Sequence, residues 1–504
     1  MLDLSSSRSR GRAGQRRPRG AWLSALAIAG VLALGVPGES VAAVRAGGSP
    51  PTPATPAASG TYYSTTLSYV TRFYPRFFTW IIEALLQKVG VAPDTIVGQI
   101  RGPSGTIGPP VRTLAGPNVD TIYGACFDVD ISQEPAILTV PPTKSRFSIV
   151  SEDVWFDNYS FVPSEPGTYA LALPSWHGTL PPGVTRVNIP YPVTALYERA
   201  DRYTNGVNTI ASSKAFVAGL RLAPLPAYEA DPSTGATKFL PQRVFVASTK
   251  VANDLAMRYT PTLYLQTLQT ALHSPVTRPL TPSDVAVSKS FDTVFAAAQR
   301  ALRRGNPVPL AQMVRAVHDA YAMVVSYFMT HTIDNSNWIY FGNAGEFGSD
   351  YLARDAVAEF ASGINKPSSA TYYFAYTDAR GAGLNARMAY RLTFSKAQIP
   401  EAKRFWSVTA YTPTAVALIQ WPGVRPIPPS AKNVASYTPG LVTNRNGSIT
   451  IYIQPKPPAN PSLYPNWLPT PASGPFLLWF RVYAPTGNTA PDKHYVPPPI
   501  LPAG

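Results

Sequence analysis

Residues 388–394, Met388-Ala389-Tyr390-Arg391-Leu392-Thr393-Phe394, decide the fold class of the C-terminal third. Side chains alternate in character from Tyr390 onward. A period of two puts Tyr390, Leu392 and Phe394 on one face and Arg391 and Thr393 on the other. That is the pattern of a strand with one buried and one solvated face. Further β-prone runs lie on both sides: Tyr372–Tyr376, Phe405–Tyr411, Ala415–Ile419, Ser448–Gln454 and Phe476–Tyr483. Asn446-Gly447 is a tight-turn signal directly ahead of Ser448–Gln454. These runs predict a β module over residues 366–490. The Pro-rich segment 491–504 is expected to be an extended tail on the surface.

A second β pattern covers Ile122–Val129, Ala136–Val140, Arg146–Val150, Thr168–Leu173, Val184–Ile189, Ala195–Arg199 and Gln242–Ala247. Pro/Gly turns separate these short runs, as in a β-sandwich. The sandwich is assigned to residues 61–250. Within it, Phe77–Val89 has helical spacing and a stop at Gly90, and Pro75 is expected to break any helix arriving from the N-terminal side. Between the β regions, residues 251–365 read as helical. Thr281-Pro282-Ser283-Asp284 carries a cap, a first-turn proline and an acid at the third position. The helix it opens should end at Gly305, and two more should follow over Leu310–Thr332 and Tyr351–Phe360. The fold class is therefore mainly β with a helical middle: an N-terminal β-sandwich, a helical connector and a C-terminal jelly-roll-like β module.

The chain of 504 residues is 45% hydrophobic, enough for sizeable cores, but only 14% charged. Its 54 prolines favour loops, turns and strand edges. The net charge is +15. Residues 1–43 hold part of it, with Arg8, Arg10, Arg12, Arg16, Arg17 and Arg19 ahead of the apolar run Ala21–Val36 and the small residues Val41-Ala42-Ala43. That order predicts a secretory signal peptide over 1–43 and an exported protein, secreted, periplasmic or in the cell envelope. The alternative is an uncleaved anchor. Residues 44–60 read as a flexible linker. No later segment has the length and apolarity of a membrane span. No basic run interleaved with aromatics follows residue 45, so nucleic acid is not an expected partner. Cys126 is the only cysteine, which excludes an internal disulfide, and its apolar surroundings predict a buried, inert thiol.

Two stretches resemble known families. Gly116-Pro117-Asn118-Val119-Asp120-Thr121-Ile122-Tyr123, with Asp128, Glu134-Pro135, Trp155-Phe156-Asp157-Asn158, Tyr169 and Trp176-His177-Gly178-Thr179-Leu180-Pro181, resembles the domain of unknown function 1254. Tyr390–Phe394, Phe405-Trp406-Ser407-Val408-Thr409, Gly447–Gln454, Asn466-Trp467-Leu468-Pro469 and Gly474-Pro475-Phe476 resemble its usual partner, the domain of unknown function 1214. The resemblance implies the order sandwich, helical middle, jelly-roll-like module, and no reaction. The stretch Ser436-Tyr437-Thr438-Pro439-Gly440, ahead of the Asn-Gly turn, departs from the pattern: these five residues hold neither the acidic residue nor the arginine expected there.

Two polar clusters could carry chemistry. Asn118, Asp120, Tyr123 and Asp128 stand on a turn and the strand after it; side chains of the first two also cap turns. Glu152, Asp153, Asp157 and Asn158 surround Trp155. These carboxylates could serve acid/base catalysis or hold a hard cation. The five histidines make no zinc motif. No nucleophile elbow, phosphate loop or dinucleotide fingerprint occurs. No cofactor is assigned and no metal ligand set is named. The leading expectation is a small organic or carbohydrate-like ligand in a cleft between the β modules, contacted by Asn118, Asp120, Tyr123, Trp155 and Asp157. The alternatives are a hydrolase using Asp120 with Asp157 or Glu152, and a structural cell-envelope protein. Homo-oligomerisation stays open.

Overall fold

In the computed structural model, which describes residues 60–98, 118–239, 249–274, 279–411 and 433–503, the first element is helix α1 (Thr61–Lys88). Pro75 lies inside it, correcting the expected break. A mid-helix proline costs about 3 kcal/mol or more. However, Tyr69, Phe73, Tyr74, Phe77, Phe78 and Ile81 are all buried along the same helix. Burial of each such side chain stabilises by about 1.5–3 kcal/mol, so packing outweighs the local break.

The N-terminal module follows as β1 (Val97–Gly98), β2 (Thr121–Asp130), β3 (Ala136–Val140), β4 (Phe147–Glu152), β5 (Asn158–Tyr159), β6 (Gly167–Ala172), β7 (Thr185–Asn188) and β8 (Val193–Asp201). Then come β9 (Tyr203–Thr204), β10 (Val207–Asn208), α2 (Ile210–Gly219), β11 (Arg221–Pro224), α3 (Leu225–Ala230) and β12 (Lys238–Phe239). A six-stranded sheet in the order β12-β1-β2-β8-β4-β5 packs over a four-stranded sheet, β11-β3-β6-β7. Ile122, Cys126 and Leu196 of the first sheet meet Leu138, Leu171 and Leu222 of the second in one apolar core. Cys126 is buried as the sequence predicts, and burial pushes its thiol pKa up. The short helices α2 and α3 were not visible in a pattern dominated by strands. The strands expected at 242–247 and 415–419, the N-terminal segment 1–59 and Gly116-Pro117 lie outside the described residues.

The middle comprises α4 (Thr249–Tyr259), α5 (Pro261–Leu272), α6 (Pro282–Arg303), α7 (Val308–Thr330), strand β13 (Ile339–Tyr340) and α8 (Tyr351–Ala361). Thr281 and Asp284 form the reciprocal cap at the start of α6, with Asp284 N–H donating to Thr281 Oγ1 at 3.1 Å and Thr281 N–H to Asp284 Oδ2 at 3.0 Å. Helix α6 gives way to Gly305 in the left-handed region, φ 82°. Helix α1 packs on α5, α6, α7 and α8, burying Phe73 and Phe77 with Tyr264, Phe291, Val317 and Val357. Although α1 precedes the sandwich in sequence, it is the spine of the helical layer.

The C-terminal module contains β14 (Ala370–Ala375), β15 (Tyr390–Phe394), β16 (Ala402–Tyr411), β17 (Asn433–Ala435), β18 (Ile449–Gln454), β19 (Trp467–Pro469), β20 (Leu477–Pro485) and β21 (Ile500–Pro502). Its sheets run β13-β14-β20-β16-β17 and β19-β18-β15-β21. Leu392, Phe394 and Ile451 close on Val408 and Phe480 between them. The C-terminal tail is not a free surface segment, which corrects the expectation. Ile500–Pro502 pairs with β15, Ile500 is fully buried, and Trp338 Nε1–H donates to the Pro498 carbonyl at 2.8 Å. Proline cannot donate to a ladder, but an edge strand tolerates it on its outer side. Among the described residues no helix is long and apolar enough to cross a membrane.

Candidate functional site

Strand parity decides which side chains leave the two apolar cores. On β8, Leu196 and Ala200 enter the sandwich core, so Tyr197, Arg199 and Asp201 project from the opposite face. On β20, Leu478, Phe480 and Val482 enter the C-terminal core, so Trp479, Arg481 and Tyr483 face away from it. On β16, Trp406, Val408 and Ala410 point inward, and Ser407, Thr409 and Tyr411 outward. These outer faces are buried against each other, so the two modules meet along a polar layer.

Asp120 sits at one end of this layer and is fully buried. Its carboxylate accepts hydrogen bonds from Ser407 Oγ at 2.7 Å, Asn433 Nδ2 at 2.5 Å and Tyr437 Oη at 2.5 Å. All three donors belong to the C-terminal module. Burial raises the Asp120 pKa, while Arg481, Tyr437 and Ser407 oppose the rise. Asn118 caps the turn by accepting the Asp120 N–H at 2.7 Å, and its amide donates to Tyr483 Oη at 2.9 Å. Tyr372 Oη donates to the same phenol oxygen at 3.3 Å. Tyr437 also stacks on Tyr203 of the N-terminal module, 4.5 Å between centroids. It lies in the stretch that departs from the family pattern.

Two guanidinium groups are buried in the layer. Arg199 is 3% exposed. It donates to Asn365 Oδ1 and to the Gly363 carbonyl, both neutral acceptors, and its Nε has no hydrogen-bond partner among the described residues. Its guanidinium carbon lies 5.4 Å from the Tyr123 ring and 5.3 Å from the Tyr197 ring. Arg481 is 1% exposed, donates to Tyr411 Oη at 2.9 Å and lies 4.6 Å over Trp479. Burial works against both charges. Nearby oxygens outweigh it and raise both pKa values: Tyr123 first for Arg199, Tyr411 and Asp120 for Arg481. At the rim, Arg404 bridges the modules, donating to Asp201 Oδ2 at 2.9 Å and Ser148 Oγ at 2.9 Å.

Glu152 marks the other end. It is buried and accepts the Asn158 amide at 3.0 Å. Burial lifts its pKa to about 8, against the opposing effect of Tyr197 and Arg199. A space of about 20 Å³, enough for one water, adjoins it between Phe78, Phe127 and Tyr197. Thr121 pairs with Asp201 and Glu152 pairs with Ala195 on the same strand. Six residues of β8 therefore separate the Asp120 and Glu152 ends, about 20 Å at the rise of a strand. A carboxylate pair for glycoside hydrolysis needs about 5–9.5 Å, so Asp120 and Glu152 do not form one.

The structure thus brings Asn118, Asp120 and Tyr123 together and separates the rest. Trp155 is buried in the helical core, 5.8 Å from Phe73, with Arg354 5.3 Å over its ring. Asp157 lies outside the layer, where it accepts the Phe347 N–H at 3.4 Å. Asp128 lies toward the far end of β2, where its carbonyl receives the Asp94 N–H. Sequence reading missed Arg199, Arg481, Tyr372, Tyr411, Tyr437 and Tyr483. The available signal was a charge inside an apolar strand: Arg481 in Leu477–Pro485, and Glu198-Arg199 in Val193–Asp201. Among the described residues no group of three or more His, Cys, Asp or Glu could hold a metal.

Two family models match the chain. Protein of unknown function DUF1254 covers residues 98–224, and protein of unknown function DUF1214 covers residues 369–487. No curated protein matches. The fold is similar to the crystal structure of the VPA0106 protein from Vibrio parahaemolyticus, with a TM-score of 0.52 and 16% identity over 88% of this chain and 100% of that one. An uncharacterized protein from Burkholderia cenocepacia aligns over 88% of this chain and 94% of its own, at 12% identity and a TM-score of 0.41. The N-terminal sandwich and the C-terminal module therefore each contain a stretch that matches a family of unknown function, DUF1254 and DUF1214 respectively.

Proposed function

We propose that this protein binds a small organic acid in the polar layer between its β modules, and that it does so outside the cytoplasm. The observation that carries the reading is Arg199. Its charge is buried, and among the described residues its hydrogen-bonded nitrogens meet neutral oxygens and its Nε is unsatisfied, with Glu152 acting on it through charge alone. A buried guanidinium in that state is costly, and a carboxylate would relieve the cost with a charge-assisted bond. Tyr123, Tyr372 and Tyr483 beside it supply neutral hydroxyls and flat apolar faces for the rest of a ligand. Two guanidiniums in one layer favour an acid over a neutral sugar. Export rests on the Arg-rich and apolar order within residues 1–43.

A second reading is favoured by Asp120. Its three donors all come from the opposite module, as expected of a permanent joint with no ligand. Titrating the protein with benzoate, phenylacetate, succinate and citrate, by calorimetry, separates the two. Saturable heat from any one supports the binding site, and none from all four supports the joint.

A further inference from the structure

We propose that the groove between the β5 region and the loop before α8 is a carbohydrate-binding site, distinct from the polar layer. The groove has a volume of about 570 Å³ and is lined by Asp157, Tyr159, Phe161, Glu346 and Lys366, among others. That volume is within the range of small-ligand sites, about 300–1,000 Å³.

Phe161 is 38% exposed although a large apolar ring is better buried. It is held there by stacking on Tyr159, 5.2 Å between centroids with planes 10° apart, and Tyr191 braces Tyr159 at 4.9 Å. A flat, braced and exposed ring suits the C–H face of a pyranose. The polar rim supplies both halves of hydroxyl recognition. Lys366 Nζ lies 3.1 Å from Glu346 Oε1, giving a donor and an acceptor side by side. Asp157 adds a second carboxylate, already oriented by the Phe347 N–H. Two acids against one lysine disfavour an anionic ligand, whereas a neutral polyol finds acceptors and donors together.

The groove is also pre-formed. The Asn158 N–H donates to the Gly345 carbonyl at 2.7 Å, which pins one wall to the other. Gly345 has φ 72°, and a Cβ there would fall 2.8 Å from the Asn158 side chain, so the approach depends on glycine. A ligand entering between pinned walls pays little ordering entropy.

The test is calorimetric titration of the full chain with cellohexaose, maltohexaose and chitohexaose, with circular dichroism checking each variant's fold. At least one oligosaccharide should bind. Phe161→Ala should weaken it at least tenfold and Lys366→Gln severalfold, while Arg199→Gln leaves it unchanged. The proposal is overturned if none of the three binds at millimolar concentration, or if Phe161→Ala binds as tightly as the wild type. Binding lost in Arg199→Gln but kept in Phe161→Ala would place the sugar in the polar layer and also overturn it. Acid binding in the layer is read separately, so the two proposals can fail independently.

Discussion

The Asp120 carboxylate accepts the Ser407 hydroxyl at 2.7 Å across the junction of the two modules, although the two residues lie 287 positions apart in sequence. Asn433 and Tyr437 complete its shell, and Arg481 is the nearby cation that most opposes the burial-driven rise in its pKa. Removing the carboxylate takes the acceptor from two buried donors, Ser407 and Asn433, and from the half-buried Tyr437, and removes a charge that favours the buried Arg481 cation. Asp120→Ala should therefore destabilise the chain by about 3–5 kcal/mol. Asp120→Asn keeps the volume and one acceptor and should cost less. Urea denaturation of both variants checks the order; an Asp120→Ala protein as stable as wild type would show that the junction does not depend on this group.

Stability should also depend on pH in a direction that acid-labile proteins do not share. Burial holds the Glu152 pKa at about 8, and burial likewise holds Glu198 at about 7, against 4.5 for the ordinary carboxyl. Between those values the folded chain keeps protons that the unfolded chain has released. The contribution of each group to stability therefore falls as pH rises from about 5 to 8, then levels off. Glu152→Gln removes its share, so the variant should lose less stability across that window. Denaturation midpoints at pH 5, 6.5 and 8 measure it, and identical slopes for variant and wild type would contradict the assignment.

The C-terminal strand should behave as core. Ile500 is fully buried beside β15. Truncating a buried isoleucine to alanine costs about 2–5 kcal/mol, so Ile500→Ala should lower the thermal midpoint clearly. A midpoint within error of wild type would mean the tail is dispensable.

The cap of α6 offers a smaller, local test. Thr281→Ala removes the acceptor of the Asp284 N–H and should cost about 1 kcal/mol. Amide exchange should speed up in the first turn of α6 and stay unchanged in the β modules.

The strands and most helices were legible in the sequence because periodicity reports burial directly. Ala136–Val140 has the bounds its pattern predicts, and Thr281 caps where the Thr-Pro-Ser-Asp signal places it. Two features were not legible because distant partners create them. Pro75 stays in a helix since the surrounding aromatic side chains pack it there, and residues 500–502 become a strand only because β15 presents an edge. The candidate site was half legible. Asn118, Asp120 and Tyr123 stand close in sequence, so a cluster could be suspected. Arg199, Arg481 and the tyrosines around them are scattered over strands of both modules, and only the pairing of two sheet faces assembles them. Trp155 and Asp157, neighbours of a promising cluster in sequence, are parted by the turn that sends one into the helical core and the other to the outer groove.

Arg199 is a buried cation whose hydrogen-bond acceptors among the described residues are neutral, and an acid ligand is proposed to meet it. The most direct test is calorimetric titration of wild type and Arg199→Gln with benzoate, phenylacetate, succinate and citrate. The wild type should bind at least one acid saturably, with affinity reduced at least tenfold in Arg199→Gln while the fold is kept. Equal binding by both proteins, or binding by neither, would contradict it.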